Sequence, residues 1–371
     1  MEAKAHYTLS QGSKLQMPLL QDKDGPINNT LQNEDIEIHQ PQEKRTPWYA
    51  YPILILCGAS GAMDGPFSQF LTTRNPFLRM SWKFQGVLFL LIIYAALLFA
   101  FRLITRQSNL NSKGIQKSDI VTLLLTAIGL IGMQSFLTWG ATYTIMSHAN
   151  LYSSLCAIMI VGWRLVAKAP VSNAEFVGSF VALSGCLVTT FDPSAEKTLD
   201  QDNKIQLGNL LSFFSSIFAT VYILKGQELS SRVHALPYLL SVTGISCLIF
   251  YTVIPLAYQG DNFHYTMDND TGLFGWLSKE NFTYNLFVVS GLNGVGTLTL
   301  QMLVFRYFTP VVAGTMMLLE PLFSQIYGIA LGLDEYPGVV TYFGGVLILG
   351  GLFMLLVYED KTEQAKKVSI Q

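Results

Sequence analysis

Charged residues are scarce in this sequence. Asp, Glu, Lys and Arg make up only 13% of the 371 residues, against roughly 25% in soluble domains, and the mean hydropathy is +0.37. The formal net charge of −2 provides no basic surface for nucleic acid. The composition therefore predicts a protein embedded in the lipid bilayer, with no nucleic-acid partner.

Motifs for ATP hydrolysis, metal binding and covalent catalysis are also missing. No G-x-x-x-x-G-K-S/T loop occurs, the five histidines are scattered, and no two of the four cysteines have metal-ligand spacing. No nucleophile and base form a recognisable pair. We expect a protein that is not an enzyme and that holds neither a metal nor a cofactor.

An apolar run of signal-peptide length is absent from residues 1–47, which are polar and rich in Gln, Asn, Asp, Glu and Lys. This composition predicts a disordered cytosolic tail. Residues 359–371 are predicted to form a second cytosolic tail. The first hydrophobic helix is therefore expected to direct the chain to its membrane.

Apolar segments of spanning length are what this sequence has in abundance. Their short connections predict antiparallel neighbours. The predicted fold is an all-α integral membrane protein with ten transmembrane helices. The predicted segments are 49–71, 85–105, 119–147, 149–168, 174–192, 206–228, 235–258, 284–306, 309–332 and 337–358.

Lys and Arg near the helix ends favour a cytosolic amino terminus, and the even number of spans then makes both termini cytosolic. The longest loop on the opposite side, residues 259–283, carries two sequons that can be modified only on the extracytosolic face. Asn269 and Asn281 are therefore predicted glycosylation sites. The loop 72–84 carries three cations against this charge rule and is predicted to be a short interfacial helix.

Two glycine-containing segments, one in each half, have similar sequences. Residues 176–185 align with residues 343–351, which matches helices one to five with helices six to ten. Because five is odd, the repeats are expected to be inverted. The predicted domains are a first repeat (48–192), an extracytosolic linker (193–205) and a second repeat (206–358). Inverted repeats commonly place the substrate at the bilayer midplane.

One carboxylate, Glu320, interrupts the apolar segment 309–332. Counted from Pro310 at about 1.5 Å per residue, Glu320 lies roughly 15 Å into the helix, in the middle of a hydrocarbon core roughly 30 Å thick. Acids at that depth usually face a wet cavity, although a protonated acid can also seal a helix contact. Pro321 leaves the carbonyl of Met317 without its usual partner and predicts a hinge.

A second intramembrane acid, Asp64, is followed by Gly65 and Pro66. This pair is predicted to act as a hinge, because a broken helix exposes its backbone to a cavity. The alternative is that the first helix ends there and that Asp64 caps the next turn.

Uncharged polar residues recur within the other apolar segments. In the eighth segment they follow a four-residue spacing that places them on one helix face. Such residues either line a cavity or join helices by hydrogen bonds. The candidates for substrate binding or coupling, besides Glu320 and Asp64, are Asn293, Thr297, Gln301, Gln134, Thr138, Tyr152 and Ser216.

Four stretches of the second half form a recognisable pattern. They are Tyr307-Phe308-Thr309-Pro310-Val311-Val312-Ala313, Leu319-Glu320-Pro321-Leu322-Phe323, Leu331-Gly332-Leu333-Asp334-Glu335 and Gly344-Gly345-Val346-Leu347-Ile348-Leu349-Gly350-Gly351. This pattern resembles the carboxy-terminal EamA repeat of the drug/metabolite transporter superfamily. The resemblance is weaker in the first half, where the equivalent of Glu320-Pro321 falls near Ile158-Met159. It covers about residues 49–358 and implies two EamA-type repeats that work by alternating access.

The function expected from these features is secondary-active transport of a small organic metabolite. Glu320 is expected to bind the solute or a coupling proton. Two alternatives are a nucleotide-sugar transporter of the endomembrane system and a non-transporting receptor or scaffold on a carrier fold. The expected location is the plasma membrane or an endomembrane such as that of the vacuole or Golgi.

Overall fold

The computed structural model describes residues 46–105, 114–144, 146–168, 171–190, 205–257, 264–332 and 338–368. Apart from one isolated bridge between His264 and Gly272, all regular structure in these ranges is helical. The predicted amino-terminal tail up to residue 45 and the predicted linker up to residue 204 lie outside the described residues. The last three residues of the predicted carboxy-terminal tail do so too.

Fourteen α-helices make up most of this described part. A π-helix, Asn285–Val295, joins α10 to α11, and a 3-10 turn, Met317–Leu319, joins α12 to α13. The α-helices are α1 (Ala50–Gly61), α2 (Asp64–Ser68), α3 (Pro76–Thr105), α4 (Ile120–Gly140), α5 (Met146–Ser154), α6 (Cys156–Val166), α7 (Asn173–Thr190), α8 (Ile205–Arg232), α9 (Ala235–Ala257), α10 (Phe282–Tyr284), α11 (Gly296–Tyr307), α12 (Pro310–Met316), α13 (Glu320–Ala330) and α14 (Val339–Val368).

Six helical segments in the described ranges are long and apolar enough to cross a membrane, so the chain is a multi-pass membrane protein. Two shorter apolar helices accompany them, Tyr152–Val166 and Asn173–Val188. Large apolar side chains are exposed on the outer faces, as lipid-facing surfaces require. The six long segments are Pro76–Thr105, Lys117–Gly140, Gln206–Arg232, Ala235–Thr252, Phe282–Tyr307 and Val339–Tyr358.

The second predicted segment begins too late. The helix starts at Pro76 rather than at residue 85, and the interfacial helix predicted for loop 72–84 is wrong. The cause is a good helix start, because the Asn75 Oδ1 accepts hydrogen bonds from the backbone N–H groups of Phe77 and Leu78 at 2.9 and 3.3 Å. Proline is favoured directly after such a cap. The correction moves Lys83 into the body of α3.

Helices pack most closely where glycine faces backbone. On α4, a Cβ added at Gly129 would lie 2.7 Å from the backbone N of Tyr222 on α8. On α14, a Cβ added at Gly351 would lie 2.5 Å from the backbone N of Ala182 on α7. Neither position has room for a larger side chain without separating two helices. These contacts fix the bundle around its central cavity.

Candidate functional site

A cavity of about 380 Å³ enters the bundle between α1, α2, the start of α3, α4, α5, α11 and α13. Its mouth lies where helices end, with Gln69, Arg74 and Thr142 exposed to solvent. Its floor is formed by Gln301 and Met317, which are both buried. A volume of this size suits a small organic molecule, since ligand pockets typically measure about 300–1,000 Å³.

Asp64 stands on the cavity wall just after the first helix breaks. The α1 helix ends at Gly61, and Asp64 opens α2 after a turn of two residues. The Asp64 carboxylate forms an ion pair with Lys83 of α3 and also accepts a hydrogen bond from the Asn293 amide. The first helix does end before Asp64, but Met63 holds the cap position of α2 and no side chain caps it. Asp64 instead lines the cavity.

The polar row predicted in the eighth segment lies on one buried face. The Thr297 hydroxyl is 3.1 Å from the Asn293 Oδ1 and 2.7 Å from the Ser60 Oγ of α1. One turn further, the Gln301 Oε1 accepts a hydrogen bond of 2.8 Å from the Tyr222 hydroxyl. Thr297 and Gln301 line the cavity. Asn293 does not line it and instead donates a hydrogen bond to the Asp64 carboxylate. Asn293 lies in the π-helix, a distortion that occurs frequently at functional sites.

Glu320 lies where the ninth segment is interrupted. The helix changes to a 3-10 turn at Met317–Leu319, and the Met317 carbonyl accepts from the backbone N–H of Glu320. This bond replaces the one that Pro321 cannot make. The Glu320 carboxyl points at Gly61, where an added Cβ would lie 2.5 Å from its Oε1. The missing side chain at Gly61 thus makes room for the acid.

The Glu320 carboxyl has no hydrogen-bond or ion-pair partner among the described residues. Its neighbour on the cavity wall, Asp64, is by contrast doubly engaged. An acid that faces a cavity without a partner is available to a proton or to a solute. This is the feature that distinguishes Glu320 from a residue that seals a helix contact.

Not all candidates from the sequence share this cavity. Ser216 does not line the cavity; it is buried and donates to the Phe213 carbonyl of its own helix at 2.7 Å. Tyr152 does not line the cavity, whereas its neighbours Ser153 and Ser154 do. Of the two residues predicted as a hinge after Asp64, Gly65 lines the cavity and Pro66 is buried within α2. The candidates that line the cavity directly are Glu320, Asp64, Thr297, Gln301, Gln134 and Thr138.

Three cations near the start of α3 were missed as site residues. Lys83 pairs with Asp64, while Arg74 and Arg79 line the mouth of the cavity. The Arg79 Nε donates to the Thr73 carbonyl at 2.7 Å. The dipeptide Asn75-Pro76 was the available signal, because an Asn cap followed by proline marks a helix start.

The opposite end of the bundle is closed by side chains that bind backbone carbonyls. The Gln227 amide donates to the Phe308 carbonyl at 2.6 Å. The Arg306 guanidinium donates to the carbonyls of Ser230 at 3.0 Å and Val233 at 2.8 Å. Arg306 lies near the end of α11, roughly 14 Å along the helix from Thr297 at about 1.5 Å per residue. Neither Gln227 nor Arg306 lines the cavity, whose floor is at Gln301 and Met317. We call this closed part of the bundle the sealed end.

The two predicted glycosylation sites differ in accessibility. Asn269 is half-buried, and its amide donates to the exposed Glu280 carboxylate at 2.7 Å. Asn281 is buried, and its amide nitrogen donates to the Thr72 Oγ1 at 2.8 Å. A glycan on Asn281 would break this contact. The burial of Asn281 makes Asn269 the more accessible of the two sites, and both sites stay predictions.

No group of three or more His, Cys, Asp or Glu residues able to hold a metal ion occurs in the described ranges. The four cysteines are all buried. None of them lines the cavity. They have no visible part in the site.

No protein-family model matches this sequence, and no curated protein matches it. Among solved structures, 29 chains match. One of them, described only as "Crystal structure of protein", has a TM-score of 0.59 and 16% sequence identity, with 84% of this chain and 99% of that chain covered. At this identity the likeness concerns the fold alone, so it carries no activity to this chain.

Proposed function

We propose that this protein is a secondary-active transporter of a small organic metabolite that works by alternating access. The observation that carries the proposal is the Glu320 carboxyl, which lines the cavity and has no hydrogen-bond or ion-pair partner among the described residues. Keeping an acid deep in an apolar bundle costs several kcal/mol on insertion scales. A carrier can use the acid to bind its solute or a proton, whereas a scaffold gains nothing evident from it.

The proposed architecture is ten spans in two inverted repeats that resemble the EamA repeats of the drug/metabolite transporter superfamily. The breaks in the helices support it. The fourth and ninth predicted segments are both interrupted, at Leu155 and at Met317–Leu319. When Glu320 is matched to Ile158, as the sequence alignment of the halves has it, Leu155 falls opposite Met317.

Packing between the two halves gives further support. The aligned segments 176–185 and 343–351 lie on α7 and α14, which pack along each other. The fourth segment also packs against the ninth, through Ala157 and Gly314. Contacts between equivalent helices are expected when two repeats are related by a pseudo-two-fold axis.

In the proposed orientation both termini are cytosolic and the cavity mouth faces the extracytosolic side. The mouth lies at the same end as the sequon Asn269, since the Thr72 hydroxyl donates to the Asn269 carbonyl at 2.6 Å. The plasma membrane and the endomembranes of the secretory route both fit. The proposed roles are solute or proton binding by Glu320 and positioning of the wall by Asp64, Lys83 and Asn293.

Uptake into proteoliposomes tests the proposal. The full-length protein, Glu320→Gln and the control Glu280→Gln, an acid in the outer loop, are compared from pH 5 to pH 8. The solutes are labelled amino acids, nucleobases, nucleotide sugars, thiamine and polyamines. We expect at least one solute to accumulate with the wild type and the control but not with Glu320→Gln. Uptake that is unchanged in Glu320→Gln, or absent for every solute, would contradict it.

A further inference from the structure

The charges around the cavity lie at two levels. Near the floor, Asp64 is already paired with Lys83, so the charge left for a ligand is that of Glu320. At the mouth stand two cations, Arg74 and Arg79. The cavity therefore has an unpaired carboxyl group near its inner end and two cations at its outer end.

The cations at the mouth are not neutralised by the protein. Among the ion pairs of the described residues, none includes Arg74 or Arg79. The Arg79 Nε is held by the Thr73 carbonyl at 2.7 Å, which fixes the plane of the guanidinium group. Its terminal nitrogens remain available for a carboxylate, the partner that matches their fork geometry.

The two levels lie apart along the helices. Gly61, which faces the Glu320 carboxyl, precedes Asp64 by three residues, and Arg79 precedes Lys83, the partner of Asp64, by four residues toward the mouth. Arg79 therefore lies about two helical turns nearer the mouth than Gly61. A ligand that binds both groups must carry its opposite charges on separate parts of its chain.

We propose that the cavity binds a small zwitterion, with its ammonium group at Glu320 and its carboxylate at Arg79. This inference rests on the transport function proposed above and names its substrate class. A ligand with a single positive charge would leave Arg79 unpaired, and one with a single negative charge would leave Glu320 unpaired. Only a ligand with both groups satisfies both ends of the cavity at once.

A series of ω-amino acids measures the fit. The probes are glycine, β-alanine, γ-aminobutyrate, 5-aminovalerate and 6-aminohexanoate, with butylamine and butyrate as ligands that carry one charge each. Thermal unfolding of the purified full-length protein reports binding, since a ligand of the folded state raises the unfolding temperature. We expect at least one zwitterion to raise it, with a clear optimum in chain length, and the two singly charged probes to leave it unchanged.

Two variants test which residue binds each charged group of the zwitterion. Arg79→Gln and Glu320→Gln are each expected to weaken binding of the best zwitterion by about tenfold or more, the usual effect of losing a charged hydrogen bond. Arg102→Gln, on the same helix outside the cavity, serves as the control and is expected to bind normally. If Glu320→Gln folds poorly, Arg79→Gln alone decides, because Arg79 lies near the mouth. Normal binding by Arg79→Gln would overturn the inference.

The inference and the transport function fail in different ways. Binding of butylamine, butyrate or a nucleotide sugar in place of every zwitterion would overturn the substrate class, and so would the absence of any binding in this panel. Binding of a zwitterion that is not exchanged across the membrane of proteoliposomes would instead overturn transport and leave the binding site in place.

Discussion

The two ends of the helix bundle are built differently. At the mouth, exposed polar residues such as Gln69 and Thr142 surround an opening. At the sealed end, Gln227 and Arg306 bind the carbonyls of neighbouring chain segments, and the Tyr49 and Tyr307 hydroxyls lie 3.4 Å apart. Between the ends, the pair Lys83–Asp64 holds α2 to α3.

This difference indicates which parts of the protein are able to move. A neutral side-chain hydrogen bond, such as that of Gln227, contributes about 0.5–1.5 kcal/mol, and one from a charged group, such as each of those of Arg306, about 1.5–3 kcal/mol. Each bond at the sealed end can therefore be exchanged singly at a modest cost. A buried ion pair that loses one partner costs about 3–5 kcal/mol. We therefore expect the centre around Asp64 to stay fixed while the ends open and close in turn.

The largest expected effect on stability comes from removing one partner of the ion pair Lys83–Asp64. Lys83→Met leaves the Asp64 carboxylate without its cation, and we expect a loss of about 3 kcal/mol in stability, at the low end for a buried pair because Asp64 borders the cavity. Thermal unfolding in detergent measures it. The double variant Lys83→Met with Asp64→Asn removes both charges and should regain most of the loss. An unfolding temperature of Lys83→Met equal to that of the wild type would contradict the fixed centre.

Two glycine variants distinguish a position needed for helix packing from a position needed for the cavity. In Gly129→Ala the new Cβ meets the backbone of Tyr222 at 2.7 Å, so α4 and α8 must separate, and we expect a loss of about 1–3 kcal/mol. In Gly61→Ala the new Cβ meets the flexible end of Glu320 at 2.5 Å, so the carboxyl moves aside with little loss of stability. We expect Gly61→Ala to impair transport more than unfolding, and equal effects of both variants on unfolding would remove the distinction.

The smallest effect is expected at the sealed end. Gln227→Leu removes one hydrogen bond to the Phe308 carbonyl and should lower stability by about 1 kcal/mol. We expect this bond to form only while the sealed end is closed. Its loss should therefore shift the protein toward the conformation that is open at the sealed end. Proteolysis at that end, or maleimide labelling of a cysteine introduced there, should become faster. Ser231→Ala, an exposed neighbour, provides the control, and an unchanged labelling rate in Gln227→Leu would speak against this role for the contact.

The sequence predicted the positions of the apolar helices better than their ends. Each predicted apolar segment coincides with helical structure, because hydrophobicity over about twenty residues is a strong signal. The start of α3 was missed because Arg79 and Lys83 looked like residues of a loop. Only the partner of Lys83, Asp64 on another helix, explains how that cation is kept inside the bundle.

The site was predictable where it depends on local spacing. Asn293, Thr297 and Gln301 share a face because they are four residues apart, and the structure keeps them on one buried face. The surroundings of Ser216 and Asn281 could not be predicted, for a different reason. Their surroundings come from distant parts of the chain or from the helix itself, as with the bond between Asn281 and Thr72, and no local pattern reveals such contacts.

The most direct test of alternating access is the sidedness of a cysteine in the cavity. Ser324→Cys places a thiol of nearly the same size on the cavity wall one turn beyond Glu320. A membrane-impermeant maleimide is applied to either face of sealed vesicles, and the wild type, whose four cysteines are buried, provides the unlabelled control. The account predicts reaction from both faces, since the cavity opens to each side in turn. Reaction from one face only, under all conditions and with every solute, would show a static crevice and contradict it.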